Sequence, residues 1–465
     1  MHDDSRLDPA ALTAFKAEFR GELVEPGHAR YDAARAVWNA RIDRRPALIA
    51  RCTGVADVVA AVRFARARGL LVAVRGGGHD VAGNAVCDRG LVLDMSGMKG
   101  VRVDPARRTV YAQAGLNWNE LDRETQAFGL ATTGGQCSKT GVVGVALGGG
   151  LGWLMRQHGL TIDNILSVDL VTADGQAITA SADERPELFW GLRGGGGNFG
   201  VVTGLELRLH PVERLVVGVF MHPAERFADA LRAFQVSAAG EPDEMCSVFL
   251  CTEMPNMPTV PAEMRGVLGV IIVATYNGPL AAAEQAFAPL RRFGPPTSEM
   301  VREVPYTTLQ SMFDGGPAAV YGYRQCMRSE FFGELSDAAI AAVEDQLRRV
   351  PSAMCGFELL HLGGAIARVS EDATAFPRRD APYFGLFQST WKDLADSERH
   401  LAWTAGAWQA LRPFALGGTY PNYIDDEPPE RIAEAFGAAK YRRLVDLKRT
   451  HDPDNFFRMN KNIRP

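Results

Sequence analysis

The sequence has few cysteines and lacks any long apolar run. Its 465 residues include seven cysteines, and no two of them form a Cys-x-x-Cys pair. A disulfide scaffold and a cysteine-rich zinc module are therefore poor interpretations, and we expect a reducing, cytoplasmic compartment. The longest apolar stretch, near 266–275, is far shorter than the roughly 18 residues that a membrane-spanning helix needs. Because no basic segment followed by an apolar run stands at the start, no secretory signal is expected.

Excess charge of one sign is also lacking. The formal net charge is −5, so there is no global electrostatic argument for binding nucleic acid. Apolar residues make up 46% and charged residues 23%, which is typical of a soluble globular protein. The length predicts two or three domains. Arginine and alanine are frequent and lysine is rare, which favours a bacterial source with a GC-rich genome.

Glycine, in contrast, is abundant and unevenly distributed. Of the 48 glycines, many lie in four clusters in the first half of the chain, at 76–78, 134–135, 141–152 and 194–200. Any one cluster is explained by a tight turn. Four clusters within about 125 residues favour one large ligand, because glycine lets the backbone approach a ligand closely and free N–H groups can surround a phosphate.

The segments around these clusters predict mixed α and β structure. Val58, Val62 and Ala65 follow helical spacing, and a buried strand over 70–74 then leads directly into the first glycine cluster. Asn117, with Glu120 three residues later, predicts the start of a helix. The stretches 168–172 and 176–180 flank Ala-Asp-Gly, which predicts a hairpin.

The segment Gly195–Gly200 formally matches the GxGxxG dinucleotide fingerprint. That fingerprint requires a helix immediately after it. Here Leu205, Leu207 and Leu209 alternate with charged residues, which is a strand pattern, so a Rossmann NAD site is not expected.

The distribution of glycine and apolar residues changes after Pro211. Glycine clusters become rarer, and helical patterns such as 226–236 and 338–349 alternate with apolar stretches such as 268–276. We predict a first domain over 1–212, a second over 213–424, and a C-terminal segment, 425–465, that returns to the first domain. This C-terminal segment is expected to be helical through Lys448.

His79 and Cys137 are the residues in the glycine clusters with nucleophilic side chains. Each follows two or three glycines, in Gly-Gly-Gly-His and Gly-Gly-Gln-Cys. A locally hydrogen-bonded histidine and an inert buried thiol are the simplest explanations. The alternatives are attachment points for an anionic cofactor or metal ligands, and a metal site would need further ligands that do not cluster nearby.

Several segments in the same order resemble the berberine-bridge-enzyme-like oxidases of the vanillyl-alcohol-oxidase superfamily. They are 31–39, 75–79, 134–142, 147–154, 189–202, 420–423 and 451–457. Together they span almost the whole chain, and their combination is specific although each alone is short. The resemblance implies an α+β fold, with a PCMH-type FAD-binding domain and a substrate domain whose antiparallel sheet is covered by helices.

The resemblance also implies an FAD with its pyrophosphate on the backbone of 75–80 and 141–144. It implies covalent bonds from His79 to the flavin 8α-methyl group and from Cys137 to flavin C6. No metal site is expected, because further ligands with suitable spacing do not cluster near these residues. The residues expected at the cofactor are Arg75, Gly76, Gly77, Gly78, His79, Asp80, Gly135, Cys137, Ser138, Gly141, Val142, Gly144, Gly149, Gly152, Val202, Asn422 and Asn460.

The activity that the resemblance implies is hydride transfer from an alcohol, sugar or amine carbon to the flavin. The substrate would be a small molecule, a secondary metabolite or a carbohydrate, and molecular oxygen would reoxidise the flavin and give hydrogen peroxide. A dehydrogenase with another electron acceptor, or a flavin-binding protein without turnover, remains an alternative. No nucleic acid or membrane partner is expected.

Such an oxidation also needs a base within hydrogen-bond reach of the substrate. The resemblance indicates Tyr420, expected on a strand with Asn422 on the same face and Tyr423 on the opposite face. Tyr423 is the second candidate, and Tyr321 and Tyr323 are further ones.

Overall fold

The computed structural model of the chain describes residues 7–212, 214–292 and 294–465. Residues 1–6, on which the expectation of no secretory signal depends, lie outside the described residues. Residue 213, at the predicted domain boundary, and residue 293 also lie outside them.

Residues 7–211 contain two main sheets and a short strand pair. A four-stranded sheet has the order β1-β2-β4-β3, with β2, β3 and β4 parallel and β1 antiparallel at the edge. A five-stranded antiparallel sheet has the order β5-β6-β10-β8-β9, and β7 pairs with β11. The strands are β1 (Glu22–Val24), β2 (Leu48–Arg51), β3 (Val72–Arg75), β4 (Leu91–Asp94), β5 (Val101–Asp104), β6 (Thr109–Gln113), β7 (Leu130–Ala131), β8 (Ile165–Val171), β9 (Ala177–Ser181), β10 (Val201–Arg208) and β11 (His210–Pro211).

The middle of the chain forms a seven-stranded antiparallel sheet. Its order is β15-β12-β14-β13-β17-β18-β16. The strands are β12 (Arg214–Pro223), β13 (Met245–Glu253), β14 (Leu268–Tyr276), β15 (Ser298–Pro305), β16 (Arg324–Phe332), β17 (Gly356–His361) and β18 (Tyr383–Trp391).

Helices cover the sheets and close the chain. They are α1 (Pro9–Glu18), α2 (Tyr31–Arg35), α3 (Val55–Ala67), α4 (Trp118–Gln126), α5 (Val142–Gly148), α6 (Met155–His158), α7 (Pro186–Leu192), α8 (Phe227–Ala238), α9 (Leu280–Phe287), α10 (Tyr306–Gln310), α11 (Asp337–Leu347), α12 (Ala365–Arg368), α13 (Ser397–Leu411), α14 (Pro429–Phe436) and α15 (Ala438–His451). Among the described residues, no helix is both long enough and apolar enough to cross a membrane.

The two faces of the seven-stranded sheet belong to different cores, because successive side chains along a strand point to opposite faces. On one face Phe220, Phe249 and Ile272 pack with apolar side chains of α8, α11 and α13. On the other face, Val248 and Val273 join the core that contains the β8 and β10 side chains. The second face is therefore turned toward the Gly-rich half of the chain.

Most of the predicted elements are confirmed. The hairpin is present as β8 and β9, the segment after Gly200 is the strand β10, and 268–276 coincides with β14. The C-terminal segment is helical through His451, but it is divided into α14 and α15 at Gly437. One prediction is wrong: Tyr420 is not on a strand, because it precedes a 3-10 turn over Pro421–Tyr423.

Candidate active site

The first Gly-rich loop begins where β3 ends. Arg75, the last residue of β3, is paired with Asp94 at the end of β4 at 2.7 Å and also donates to the Ala34 carbonyl. The loop then contacts the start of α5, because a Cβ atom at Gly77 would lie 2.4 Å from the amide nitrogen of Gly141. The two predicted phosphate-binding loops therefore touch backbone to backbone, and a side chain at Gly77 would separate them.

His79 lies in this loop with one ring nitrogen unused. Its Nδ1 is 2.8 Å from the Gly77 carbonyl oxygen, whereas the buried Nε2 has no hydrogen-bond partner among the described residues. Burial lowers the pKa of His79, so the ring is neutral at neutral pH. When Nδ1–H donates to Gly77, Nε2 carries a lone pair. The ring stacks on Trp38 at 5.6 Å and meets the Tyr321 ring edge-on at 5.7 Å.

Cys137 lies in the second Gly-rich loop, half-buried, and is a neutral thiol. Burial raises the pKa of this thiol to about 11, with a smaller contribution from the nearby Asp314 carboxylate. Its Sγ lies 3.4 Å from Asp314 Oδ1. A reaction at this sulfur therefore needs a base, because little thiolate exists at neutral pH.

The remaining predicted cofactor residues lie along the same Gly-rich half. Gly144 is exposed near the start of α5, and apart from its chain neighbours and the nearby backbone of its own helix no atom of the described residues is within 4 Å of where its Cβ would be. Asp80 pairs with Lys461 at 3.1 Å, and Asn460 donates to the Gly197 carbonyl at 3.1 Å. The other residues of the predicted set border the clusters themselves: Gly76, Gly78, Gly135, Ser138, Val142, Gly149, Gly152 and, on β10, Val202.

These features fit a large planar and anionic cofactor. The loop that carries the unpaired His79 nitrogen contacts Gly141, which lies four residues after Cys137, and the open space above Gly144 is in the first turn of α5. Among the described residues, no group of three or more His, Cys, Asp or Glu side chains is arranged to hold a metal ion.

Tyr420 is buried in the wall of the site. It is 3% exposed, and its hydroxyl oxygen accepts hydrogen bonds from the Gly150 amide at 2.9 Å and the Asn422 amide at 2.7 Å. Asn422 also donates to the Val145 carbonyl of α5 at 3.1 Å. Tyr420 and Asn422 therefore do lie together, as predicted, but through the tight turn rather than through strand alternation. Burial raises the pKa of Tyr420, and the two donated hydrogen bonds only partly oppose this.

Tyr423 does not point away from Tyr420, contrary to the strand argument. The two rings meet edge-on at 5.2 Å, and Tyr423 also stacks on Phe384 of β18 at 5.8 Å. Burial raises the pKa of Tyr423 well above its ordinary value, and Glu358, Tyr420 and Cys137 raise it further. Tyr423 is therefore close enough to Cys137 and to a carboxyl group of the large sheet for both to affect its pKa.

That carboxyl group, Glu358, was missed by the sequence interpretation. It lies on β17, directly across from Leu250 on β13 and Leu386 on β18, on the face turned toward the Gly-rich half. Burial raises the pKa of Glu358 to about 7. Its sequence context contained a usable signal, because a glutamate between Phe357 and Leu359 interrupts an otherwise apolar buried strand.

The two further tyrosine candidates differ. The Tyr321 hydroxyl donates to the Gly77 carbonyl at 3.2 Å, so this residue covers the His79 loop. Tyr323 has its ring under Lys392 at 4.9 Å, and its carbonyl oxygen accepts a hydrogen bond from the Ala40 amide.

Comparisons with known proteins agree with this geometry. Residues 46–181 match the family model described as an FAD binding domain, and residues 419–464 match the model described as berberine and berberine like. An FAD-linked oxidoreductase from Dictyostelium discoideum is 32% identical over 433 residues, which cover 92% of this chain and 91% of that protein. An (R)-6-hydroxynicotine oxidase from Paenarthrobacter nicotinovorans is 32% identical over 468 residues, which cover 96% and 97% of the two chains.

Solved structures show the same fold. A 6-hydroxy-D-nicotine oxidase from Arthrobacter nicotinovorans is 29% identical, with a TM-score of 0.86 over 96% of this chain and 98% of that one. A glucooligosaccharide oxidase from Acremonium strictum, 22% identical, has a TM-score of 0.85 over 98% and 99% of the two chains. The latter structure is described with a 6-S-cysteinyl, 8α-N1-histidyl FAD.

Proposed function

The chain belongs to the berberine-bridge-enzyme-like family of FAD-linked oxidoreductases, and from this premise we propose that it is an oxidase with a doubly linked flavin. FAD is its cofactor, as the matching FAD binding domain and the 32% identical relatives show. The observation that carries the proposal is that the His79 ring, with its unpaired nitrogen, and the Cys137 thiol both lie near Asp314, while Cys137 and the Glu358 carboxyl both act on Tyr423.

The loops around His79 and Cys137 would hold the cofactor covalently. His79 is neutral and has a free lone pair, as a nucleophile requires. Cys137 lies on the adjacent loop, and the doubly linked flavin of the glucooligosaccharide oxidase supports the same pair of residue types here. Bound FAD supplies the acceptor for the hydride that leaves the substrate carbon.

Glu358 is the residue best suited to accept the substrate proton. A general base works best when its pKa lies near the working pH, and burial brings the pKa of Glu358 to about 7. The raised pKa values of Tyr420 and Tyr423 keep both phenols protonated at neutral pH. We propose that Glu358 accepts the proton directly or through the Tyr423 hydroxyl, and that Tyr420 and Asn422 hold α5 in position.

The wall opposite the Gly-rich loops favours a compact substrate with an apolar part. Across the large sheet, Met221, Ile271, Leu250, Glu358 and Leu386 form one continuous row of cross-strand neighbours. Apart from the glutamate, all of them are apolar. We propose a small alcohol or amine as substrate, with molecular oxygen as the final electron acceptor and hydrogen peroxide as the second product.

The roles that we propose for the parts of the chain follow the division into sheets. We propose that residues 1–212 and 425–465 bind FAD, that residues 213–424 form the substrate side, and that the protein works in a reducing, cytoplasmic compartment. No disulfide joins any of the seven cysteines, which is compatible with that compartment.

The function is tested by anaerobic mixing of the purified enzyme with alcohols and amines, followed by admission of oxygen. We expect bleaching of the flavin absorbance and then peroxide equal to the substrate consumed. Bleaching without peroxide, but with reduction of an added dye, would indicate a dehydrogenase. Bleaching by any candidate substrate would exclude a flavin-binding protein without turnover.

The role of Glu358 has its own test. The Glu358→Gln enzyme should lose about 100-fold or more in kcat, the usual contribution of a general base. For the wild type, kcat should rise as pH increases through about 7, because the ionised carboxyl is the active form; this rise should be absent in the variant. Glu253→Gln on the neighbouring strand β13 is the matched control. A Glu358→Gln enzyme with the wild-type pH profile would remove Glu358 from the role.

A further inference from the structure

The segment that joins α10 to β16 contacts both loops that carry the proposed attachment residues. The Asp314 carboxylate accepts hydrogen bonds from the Ser138 amide at 3.1 Å and the Ser138 hydroxyl at 2.6 Å. Lys139 donates to the Asp314 carbonyl at 2.9 Å. Seven residues later, the Tyr321 hydroxyl donates to the carbonyl of Gly77. This segment of the middle part of the chain is therefore in place at both loops.

The Asp314 carboxylate also contacts the Cys137 sulfur. The distance from Sγ to Oδ1 is 3.4 Å, and the thiol S–H donates to the carboxylate oxygen. The charged and titratable groups that act on this sulfur are Asp314, Lys139 and Tyr423. The Lys139 amine is directed to a backbone carbonyl, and the Tyr423 phenol stays protonated. Asp314 is therefore the group in contact with the thiol that can take a proton.

We propose that Asp314 accepts the proton of the Cys137 thiol when the thioether bond to flavin C6 forms. The inference rests on the doubly linked flavin of the proposed function. The S–H bond of Cys137 and the C6–H bond of oxidised flavin break, and one C–S bond forms. The two electrons released pass to molecular oxygen, which takes up two protons and leaves as hydrogen peroxide. One of these protons passes through Asp314, and the other comes from C6.

The need for such a base follows from the state of the thiol. Since burial raises the pKa of Cys137 to about 11, roughly one thiol in ten thousand is ionised at pH 7. The negative charge of Asp314 itself opposes a free thiolate. Asp314 therefore assists by taking the proton while the C–S bond forms, rather than by storing a thiolate beforehand.

The test compares wild-type holoenzyme with the Asp314→Asn and Lys139→Met variants. Lys139→Met removes a hydrogen bond that docks the same segment but keeps the carboxylate, so it is the matched control. After aerobic incubation at graded pH, each protein is unfolded, free Cys137 is alkylated with iodoacetamide, and the digested peptides are weighed by mass spectrometry. The readout is the fraction of Cys137 bonded to flavin, which does not depend on turnover of any substrate.

We expect Asp314→Asn to carry flavin through His79 alone, with thioether formation slowed about 100-fold or more near pH 7. Its rate should rise about tenfold per pH unit, because thiolate then forms without the carboxylate. Lys139→Met should remain within a few-fold of the wild-type rate. If Asp314→Asn fails to bind flavin, Asp314→Ser is used, with the same expected slowing and pH dependence.

Three results would overturn the inference. Thioether formation in Asp314→Asn at the wild-type rate excludes Asp314 as the proton acceptor. Equal slowing of Asp314→Asn and Lys139→Met without any rise with pH shows that docking of the segment is what matters. If Cys137 of the wild-type enzyme stays free, both this inference and the proposed Cys137–flavin bond are wrong. If that same protein still carries flavin on His79, the proposal that it is an oxidase is unaffected.

Discussion

Replacing Asp122 by asparagine should raise the free energy of unfolding at pH values above the mildly acidic range. Asp122 lies on α4 and is 1% exposed. One carboxyl oxygen accepts a hydrogen bond from Gln310 at 3.1 Å, and the other has no partner among the described residues. Burial raises the pKa of Asp122 to about 8, and the Gln310 hydrogen bond offsets only a small part of this. The folded protein therefore holds a neutral carboxyl group in this position at pH 7.

The size of the effect follows from the difference between folded and unfolded states. An unfolded aspartate has a pKa of about 3.9, so the shift is roughly four units, and each unit corresponds to about 1.4 kcal/mol. Between about pH 4 and pH 8, the unfolded state loses its proton while the folded state keeps it. This stabilising contribution is complete below pH 4. As pH rises it is lost at up to about 1.4 kcal/mol per pH unit, which amounts to roughly 6 kcal/mol over the four units.

Asparagine has no such titration and keeps an oxygen that can accept from Gln310. The assay is the free energy of unfolding by denaturant, measured for wild type and Asp122→Asn at several pH values between 5 and 8. The difference between them should grow in favour of the variant as pH rises. Asp183→Asn, at an exposed position, is the control and should follow the wild type. Parallel curves for wild type and Asp122→Asn would refute the assignment of a neutral buried carboxyl.

Two further predictions concern the close contacts of the Gly-rich half and the C-terminal helix. Gly152→Ala should lower Tm strongly in thermal unfolding and cost several kcal/mol, because its Cβ would lie 1.6 Å from the Gly134 carbonyl oxygen and the backbone must move. Unfolding by denaturant should show that Lys448→Met costs about 3–5 kcal/mol, because Lys448 is fully buried against Asp452 and its loss leaves that buried carboxylate without its positive partner. Arg443→Met, which removes an exposed ion pair, should cost less than about 1 kcal/mol, and equal losses for the two variants would contradict the argument.

Local patterns were enough to predict much of the fold. Alternation at Leu205, Leu207 and Leu209 indicated a strand after the GxGxxG segment, and β10 is there. The failure at Tyr420 has a local cause: Pro421 at the start of a 3-10 turn redirects the chain, so alternation does not apply. Tyr420 and Asn422 still contact each other, but because of this turn and not because of strand alternation.

The candidate site likewise has residues that local patterns indicated and residues that they did not. The Gly-rich clusters, with His79 and Cys137 on them, were visible because glycine spacing and reactive side chains are properties of single segments. Glu358 and Asp314 were not found, because each is one acidic residue in a segment without a motif, separated from Cys137 by well over 100 residues. The proposed roles of Glu358 and Asp314 depend on the residues that the fold places next to them.

The sequence by itself therefore determined the α+β class, the Gly-rich cofactor half and the two nucleophiles. Only the tertiary structure decided the charge state of those nucleophiles and which groups face them. The physical reason is that a pKa depends on burial and on neighbouring charges. Burial makes Cys137 a thiol that needs a base, and the contact of Asp314 with that thiol exists only once the middle of the chain packs against the Gly-rich loops.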